Sequence, residues 1–149
     1  MPDALHRSDE IKDQSTVNSV TGLVNSQEFE RRVMRVLQTF SEENNAVVNE
    51  EHALFRIDLE QFALVNEYYG PLAGEALLRQ FTCLLQQVVR VRDTLAHLRV
   101  NEFGVLMEHC SLNHAHRVAN KIIQEVQCLQ FFYNDHCFNI NVSIGIVSI

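Results

Sequence analysis

The chain has 149 residues, of which 46% are hydrophobic and 21% charged, so it suits one domain with a packed core and is too apolar to be disordered throughout. Its 12 Lys and Arg residues against 19 Asp and Glu residues give a net charge of −7, which argues against binding to duplex DNA because the phosphate backbone would repel the chain. No apolar run reaches the ~18 residues of a membrane span, so direct membrane insertion is not expected.

The cysteines and the first residues indicate a cytoplasmic domain behind a polar lead. The cysteines are scattered without a CxxC pair, which predicts reduced, mostly buried thiols in the cytoplasm. They are Cys83, Cys110, Cys128 and Cys137. Residues 1–17 are polar and show no sustained period, so we expect a flexible N-terminal linker, with the folded domain over residues 18–149.

The spacing of apolar residues predicts the element order α-β-α-α-β-β-α-β, a mixed α/β fold. Two of the predicted strands flank Asn101 and Glu102, which indicates a tight hairpin. In chain order the predicted elements are helix 26–41, strand 53–59, helices 61–69 and 74–91, strands 94–100 and 103–108, helix 115–129 and strand 138–146.

Polar side chains lie where predicted strands end. Asp58 is near the end of the first strand, and Asn101 and Glu102 are at the hairpin tip. If those strands are neighbours, an acid and an amide or second acid converge at one edge of the sheet, as in a Mg²⁺ site for nucleotide phosphates. The alternative is that Asp58 caps the following helix and Glu102 is a solvated turn residue.

Six segments occur in an order that resembles the GGDEF domain of bacterial diguanylate cyclases. They are TGLVN at 21–25 followed by Phe29, IDLEQF at 57–62, NEYYG at 66–70, GEALLR at 74–79, NEF at 101–103 and SIGI at 143–146. The resemblance covers residues 18–149 and implies a nucleotidyl-cyclase-like mixed sheet with one central hairpin and helices on both faces.

The resemblance also implies where GTP chemistry would take place. In active members two domains face each other, each holding one GTP, and form cyclic di-GMP. The resemblance assigns the Mg²⁺ ligands to Asp58, the carbonyl of Leu59 and Asn101, with Asn101 and Glu102 as the catalytic residues of the signature. Asn101 keeps an oxygen but lacks the charge of the acid that the family has there.

The signature departs from the family at further positions. Arg99 and Val100 replace two glycines that let the backbone approach the nucleotide, and a β-branched Val100 at positive φ would be strained. Ala63 stands where the family has a phosphate-binding Lys. Together with Asn101, these departures predict a domain that does not turn over GTP.

Guanine recognition is better preserved. Asn66 and Glu75 match the family residues that read the base, so GTP binding without turnover stays open, with Mg²⁺ as its cofactor. The alternative is that both residues merely cap helices.

Arg90 and Asp93 form an RxxD pattern at the offset of the family's inhibitory site, and the predicted helix 74–91 places the pattern at its end. Arg offers a planar fork to phosphate and Asp accepts from the guanine edge, so the resemblance implies a cyclic di-GMP site with Arg92 as an accessory. The alternative is a solvated helix end, where cations favour the C-terminus through the helix dipole.

The favoured interpretation is a non-catalytic, cyclic di-GMP-binding regulatory module of a larger sensor protein. The alternatives are a weakly active cyclase, a GTP-binding module that tunes an adjacent phosphodiesterase domain, and a dimerisation scaffold without a ligand. Family members continue beyond the Ser-Ile-Gly strand, so we expect the C-terminal end of the family domain to be missing here. Expected partners are cyclic di-GMP, GTP, adjacent sensor or phosphodiesterase domains, and a second copy of the chain in a homodimer.

Overall fold

The computed structural model describes residues 16–42 and 51–149, so the predicted linker over 1–17 lies almost entirely outside the described residues. A four-stranded antiparallel sheet has the spatial order β2-β3-β1-β6, and β4 and β5 pair separately as a hairpin. The strands are β1 (Ala53–Leu59), β2 (Thr94–Arg99), β3 (Glu102–Met107), β4 (Gln130–Tyr133), β5 (His136–Asn139) and β6 (Val142–Ser148). The helices are α1 (Ser26–Glu42), α2 (Phe62–Tyr69), α3 (Pro71–Val88) and α4 (Leu112–Cys128).

The main core lies on one face of the sheet. Burial alternates along β1, and Phe55 and Ile57 point into this core while Arg56 between them is exposed. Leu77 and Phe81 of α3 and Ile122 of α4 belong to the same buried cluster. The period of two in the strand therefore places every second β1 side chain on the opposite face.

Helix α1 covers part of that opposite face. The Asn25 side chain accepts a hydrogen bond from the Glu28 amide at 3.0 Å and so caps the helix start. Phe29 packs against Ala96 and Leu106 in a second, smaller buried cluster. Gly104 of β3 permits this approach, since a Cβ there would lie 2.9 Å from the Phe29 ring.

The predicted mixed α/β fold, with a central hairpin and helices on both faces, is confirmed. Its elements differ from the prediction in several places, since most boundaries move by one to three residues and β4 was not predicted. The predicted strand over 138–146 is wrong, because β5 ends at Asn139, Ile140 and Asn141 belong to no strand, and pairing with β1 starts only at Val142. The helix predicted over 74–91 begins at Pro71, whose fixed φ suits a first helical position, and ends at Val88.

The expectation of mostly buried thiols is also wrong. All four cysteines are free thiols. Three of them are exposed, Cys83, Cys128 and Cys137, and Cys110 alone is buried. Cys83 lies on the solvent-exposed side of α3, one turn after the exposed residues Arg79 and Gln80. Within residues 16–42 and 51–149, no helix is both long and apolar enough to cross a bilayer.

A pair of glycine variants tests the contact between α1 and β3. Gly104 and Gly145 both lie opposite Arg56 in the strand register, but a Cβ at Gly145 would meet nothing within 4 Å. We expect Gly104→Ala to lower the free energy of unfolding by about 1–3 kcal/mol through overpacking against Phe29. Gly145→Ala should change it by less than about 0.5 kcal/mol, as surface substitutions usually do. Urea denaturation measures both, and equal values would contradict the close packing.

Candidate nucleotide-binding sites

The strand pairing brings the predicted metal ligands together at one edge of the sheet. Asp58 lies opposite Glu102 in the register of β1 with β3. One residue further, the Leu59 amide donates to the Asn101 carbonyl at 2.9 Å, and the Asn101 side-chain Nδ2 donates to the Leu59 carbonyl at 3.0 Å. Asp58, Leu59 and Asn101 are therefore adjacent, and Asp58 belongs to β1 and caps no helix.

The reciprocal bond between Asn101 and Leu59 changes what this edge can hold. A carbonyl only accepts, so the Asn101 amide must present its NH₂ group to Leu59. That group occupies the carbonyl that the resemblance assigns to Mg²⁺, and a carboxylate at position 101 could not make the bond. The one charged ligand of the three is the Asp58 carboxylate, which is 42% exposed, while the Leu59 carbonyl already accepts one hydrogen bond and Asn101 has only its neutral Oδ1 to offer. This donor set fits a hard divalent cation poorly, because such an ion takes several oxygen ligands at once and favours carboxylates among them.

Arg56 adds a cation on the same face of the sheet. Its Nε lies 3.0 Å and its Nη2 3.2 Å from the two carboxylate oxygens of Glu102, and its Nε lies 4.0 Å from Asp58. The Glu102 carboxylate is thus neutralised by a bidentate pair rather than left as a solvated turn residue. Sequence reasoning missed Arg56, although its position two residues before Asp58 in a strand places both on one face.

The buried His97 side chain packs against the hairpin that carries the altered signature and bonds to it. The His97 ring stacks on Phe103 at 4.6 Å, its Nε2 lies 3.0 Å from the Val100 carbonyl, and its Nδ1 lies 3.3 Å from the Thr21 hydroxyl. Burial lowers the pKa of His97, so the ring is neutral, donates from Nε2 to Val100 and accepts from Thr21. The TGLVN segment is therefore tied to the hairpin through one buried imidazole.

Val100 does not have the strained positive φ considered in the sequence analysis. The described non-glycine residues with positive φ are His109, Asn134 and Asp135, so neither Val100 nor Asn101 is among them. The pairing of β2 with β3 shifts register between His97 and Arg99, and this irregularity lets the hairpin close with ordinary torsions. Arg99 and Val100 are both exposed, so bulk rather than backbone strain distinguishes this hairpin from a Gly-Gly turn.

Asn66 and Glu75 lie inside helices, so the alternative that they are caps is wrong. Asn66 is within α2 and Glu75 is in the second turn of α3. The Asn66 Oδ1 is buried and makes no hydrogen bond to the described residues, and it lies against Gly74, where a Cβ would clash. Glu75 is partly exposed and pairs with Arg79 at 3.6 Å. An N–H donor reaching this corner would satisfy the Asn66 oxygen.

The RxxD residues lie in the turn between α3 and β2 and not on the helix, because α3 ends at Val88. The Arg90 guanidinium grips Asp93 through Nε and Nη2, each 2.9 Å from a carboxylate oxygen, and Nη2 also lies 3.3 Å from the Glu108 carbonyl. The Asp93 side chain is fully buried and that of Arg90 is 29% exposed. The alternative of a solvated helix end is therefore wrong.

This ion pair fixes the orientation of the arginine. Its hydrogen bond to Asp93 raises the pKa of Arg90 above its usual value. The Asp93 amide in turn donates to the Arg90 carbonyl at 3.0 Å, which closes the turn. Asp93 thus holds Arg90, and the exposed part of the guanidinium faces solvent in one fixed direction.

An open groove of about 400 Å³ lies beside the pair, and we call it the Arg90 groove. Its wall is formed by residues 22–24, by Arg90 and Asp93, and by Arg32 from α1. Arg32 donates to Glu28 at 3.1 Å and to the Thr94 hydroxyl at 3.3 Å. The sequence did not identify Arg32 as a site residue. The helical pattern indicates only that position 32 is polar and does not show which distant part of the chain its side chain contacts.

Comparisons with known proteins identify the family. The profile described as "Diguanylate cyclase, GGDEF domain" matches residues 15–149, so the chain belongs to the GGDEF family. The probable diguanylate cyclase DgcE of Escherichia coli K12 is 34% identical over 132 residues, which are 89% of this chain and 12% of that protein. Diguanylate cyclase A of Treponema denticola is 26% identical over 139 residues, 93% of this chain and 37% of that protein. The chain thus spans well under half of these relatives.

Solved structures agree. The GGDEF domain of TpbB (YfiN) from Pseudomonas aeruginosa has a TM-score of 0.77 and 28% identity, with 89% of this chain and 74% of that chain covered. The GGDEF domain of DgcB from Caulobacter crescentus, in complex with cyclic di-GMP, has a TM-score of 0.82 at 18% identity, with 91% of this chain and 78% of that chain covered. The second likeness concerns the fold alone.

Two variants test whether the folded domain depends on the Arg90–Asp93 ion pair for its stability. We expect Arg90→Ala to lower the free energy of unfolding by about 3 kcal/mol, because it leaves the buried Asp93 carboxylate without its partner. The double variant Arg90→Gln with Asp93→Asn removes both charges and should cost markedly less. Urea denaturation at neutral pH measures both. An Arg90→Ala variant as stable as the unaltered chain would show that Asp93 does not need its partner.

Proposed function

We propose that this domain is a catalytically inactive member of the GGDEF family that binds cyclic di-GMP in the Arg90 groove. In this proposal it acts in the cytoplasm and passes the signal to domains attached to it in a longer protein. The observation that carries the proposal is the oriented Arg90 guanidinium, fixed by a fully buried Asp93 at the wall of an open groove.

The hairpin edge supports the absence of turnover. The Asn101 amide occupies the Leu59 carbonyl, and Arg56 engages Glu102, so two of the groups needed for Mg²⁺ and triphosphate are already bonded within the chain. Ala63 supplies no cation for phosphate. Because electrostatic stabilisers in one site act together, these departures compound.

The Arg90 groove supports ligand binding by its chemistry. A cyclic dinucleotide carries two phosphates, and the Arg90 guanidinium, whose Nε and Nη2 bond to Asp93, has Nη1 left to donate to one of them. In a chain with a net charge of −7, an anion is held only where cations are placed locally. The fully buried Asp93 orients Arg90 in this arrangement and does not itself reach guanine.

Relatives add support for attached domains and for the ligand. The structure of DgcB named above contains cyclic di-GMP, and that of LapD from Vibrio cholerae joins an S helix, a GGDEF domain and an EAL domain and is bound to cyclic di-GMP. SiaD from Pseudomonas aeruginosa is a diguanylate cyclase in complex with its activator SiaC. These proteins are at most 20% identical to this chain, so they support its fold and give a precedent for cyclic di-GMP binding and for attached domains.

The first test is for turnover. With GTP and Mg²⁺ the chain should form no cyclic di-GMP, since loss of a single electrostatic stabiliser costs about 10²–10³ in rate. Liquid chromatography after an overnight reaction at high protein concentration measures the product. Restored activity should require Arg99→Gly, Val100→Gly, Asn101→Asp and Ala63→Lys together. Product above the blank from the unaltered chain would contradict the proposal.

The second test is for binding. Calorimetric titration should show cyclic di-GMP binding that the double variant Arg90→Gln with Asp93→Asn weakens by about tenfold or more, the effect of losing one charged hydrogen bond. Arg99→Ala is the matched control, because Arg99 is exposed at the other end of β2 from this groove. Absence of binding at about 100 μM ligand, near −5.5 kcal/mol, would exclude the proposed function.

One observation favours a second candidate, a GTP-binding regulatory module. The buried Asn66 oxygen has no hydrogen-bond donor among the described residues, and such a group costs about 1–3 kcal/mol. Guanine carries N–H donors that would satisfy this oxygen once the Asn66 side chain turns away from Gly74, and Glu75 is a second acceptor beside it. GTP bound more tightly than about 10 μM and lost in Asn66→Ala would favour this candidate.

A further inference from the structure

Two exposed thiols line one groove between α3 and α4, which we call the thiol groove. It has a volume of about 450 Å³, and its lining residues include Cys83 from α3 and Cys128 from α4. The two cysteines are far apart in the chain, so only the packing of the two helices places them at the same groove. The third exposed thiol, Cys137, lines a separate pocket between α2 and β5.

The core beneath the thiol groove holds the two helices side by side. Leu84 of α3 is buried, Leu129 after the end of α4 packs against the same core, and both residues line the groove. Cys83 directly precedes Leu84, and Cys128 directly precedes Leu129. Each exposed thiol therefore lies beside an apolar residue that anchors its helix, with one thiol on each side of the groove.

The end of α4 allows the two thiols to approach each other. A disulfide needs Cα atoms about 4.4–6.8 Å apart, which is closer than the axes of packed helices at about 8–10 Å. Cys128 is the last residue of α4, and a terminal helical turn opens locally at a much lower free energy than the helix interior. Cys128 can thus move toward Cys83 while Ile122 and Val126 stay buried in the core.

The chemistry of the thiol groove favours a bond between the two thiols over a metal site. In the part of the chain that the structure describes, no three His, Cys, Asp or Glu side chains are grouped so that they could hold a metal ion. Two thiols without further ligands can still react with each other. In reducing compartments such disulfides are usually transient and serve redox sensing.

We infer that Cys83 and Cys128 are a redox-sensitive pair that forms a disulfide between α3 and α4 when oxidised glutathione is in excess. One protein thiolate attacks the glutathione disulfide, whose S–S bond breaks, so that one glutathione thiolate leaves and a mixed disulfide forms. The second protein thiolate attacks the protein sulfur of that mixed disulfide and displaces the other glutathione thiolate. Two protein thiols are thereby oxidised, one glutathione disulfide is reduced to two thiols, and these take up the two protons.

The test treats the chain with oxidised glutathione at low protein concentration and measures its intact mass. Cys83→Ser and Cys137→Ser are matched variants, because each replaces one exposed thiol. Cys137→Ser should lose two hydrogen atoms without gaining glutathione, and its digest without reductant should contain a peptide that links residues 83 and 128. Cys83→Ser should lose no hydrogen in this way and should instead gain glutathione at Cys128.

Thermal unfolding gives a second readout. A disulfide between residues 83 and 128 closes a long loop and restricts the unfolded chain, so oxidation should raise the midpoint of Cys137→Ser by about 5 °C or more. Dithiothreitol should reverse this rise, and Cys83→Ser should show none.

Three results would overturn the inference. They are separate addition of glutathione to Cys83 and Cys128, a disulfide to a second copy of the chain, and an oxidised chain whose midpoint does not rise. None of these measurements uses cyclic di-GMP, so the proposed function stands or falls independently of them.

Discussion

The antiparallel pairing of β1 with β3 is the constraint on which the rest of the structure depends. β1 is the interior strand that also pairs with β6, so its register positions both neighbours. That register sets Asp58 opposite Glu102 and leads directly to the mutual bonds between Leu59 and Asn101. It also places Gly104 where α1 packs through Phe29. A slip of one residue would turn every β1 side chain to the other face, which is why the buried alternation fixes this register.

The two ends of β2 differ in how their charges are used. At the hairpin end, Arg56 pairs with Glu102 and the Asn101 amide donates to the Leu59 carbonyl, so these groups already have partners within the chain. At the other end, one buried carboxylate orients Arg90, while Arg92 keeps its guanidinium in solvent. An acidic chain can accept an anion under these conditions, because charge–charge interactions beyond the ~8 Å screening length at physiological salt are weak and the local excess decides.

Much of the fold could be predicted from the sequence, and the failures have physical causes. The hairpin at Asn101 and the alternation in β1 depend on local period, so they were predictable. The strand over 138–146 was not, because the alternation continues across Ile140 and Asn141, where the chain leaves one strand pairing for another, and a period of two does not show a change of partner strand. The sequence placed the Arg90–Asp93 pattern at the end of a helix, whereas it lies in the turn beyond the helix. The reason is related: apolar residues continue at Val89 and Val91 after the helix has ended at Val88.

The sequence by itself determined which chemical groups are available: an amide at position 101, no cation at 63, and an Arg and an Asp three residues apart at 90 and 93. It also determined the family, since ordered motifs depend on residue identity alone. Only the tertiary structure decided how those groups are occupied. The Asn101 amide faces a carbonyl, Asp93 is buried against Arg90, and Arg32 from α1 donates to Thr94 at the start of β2. Hydrogen-bond partners and burial depend on residues far apart in the chain, and packing of the whole domain is what brings those residues together.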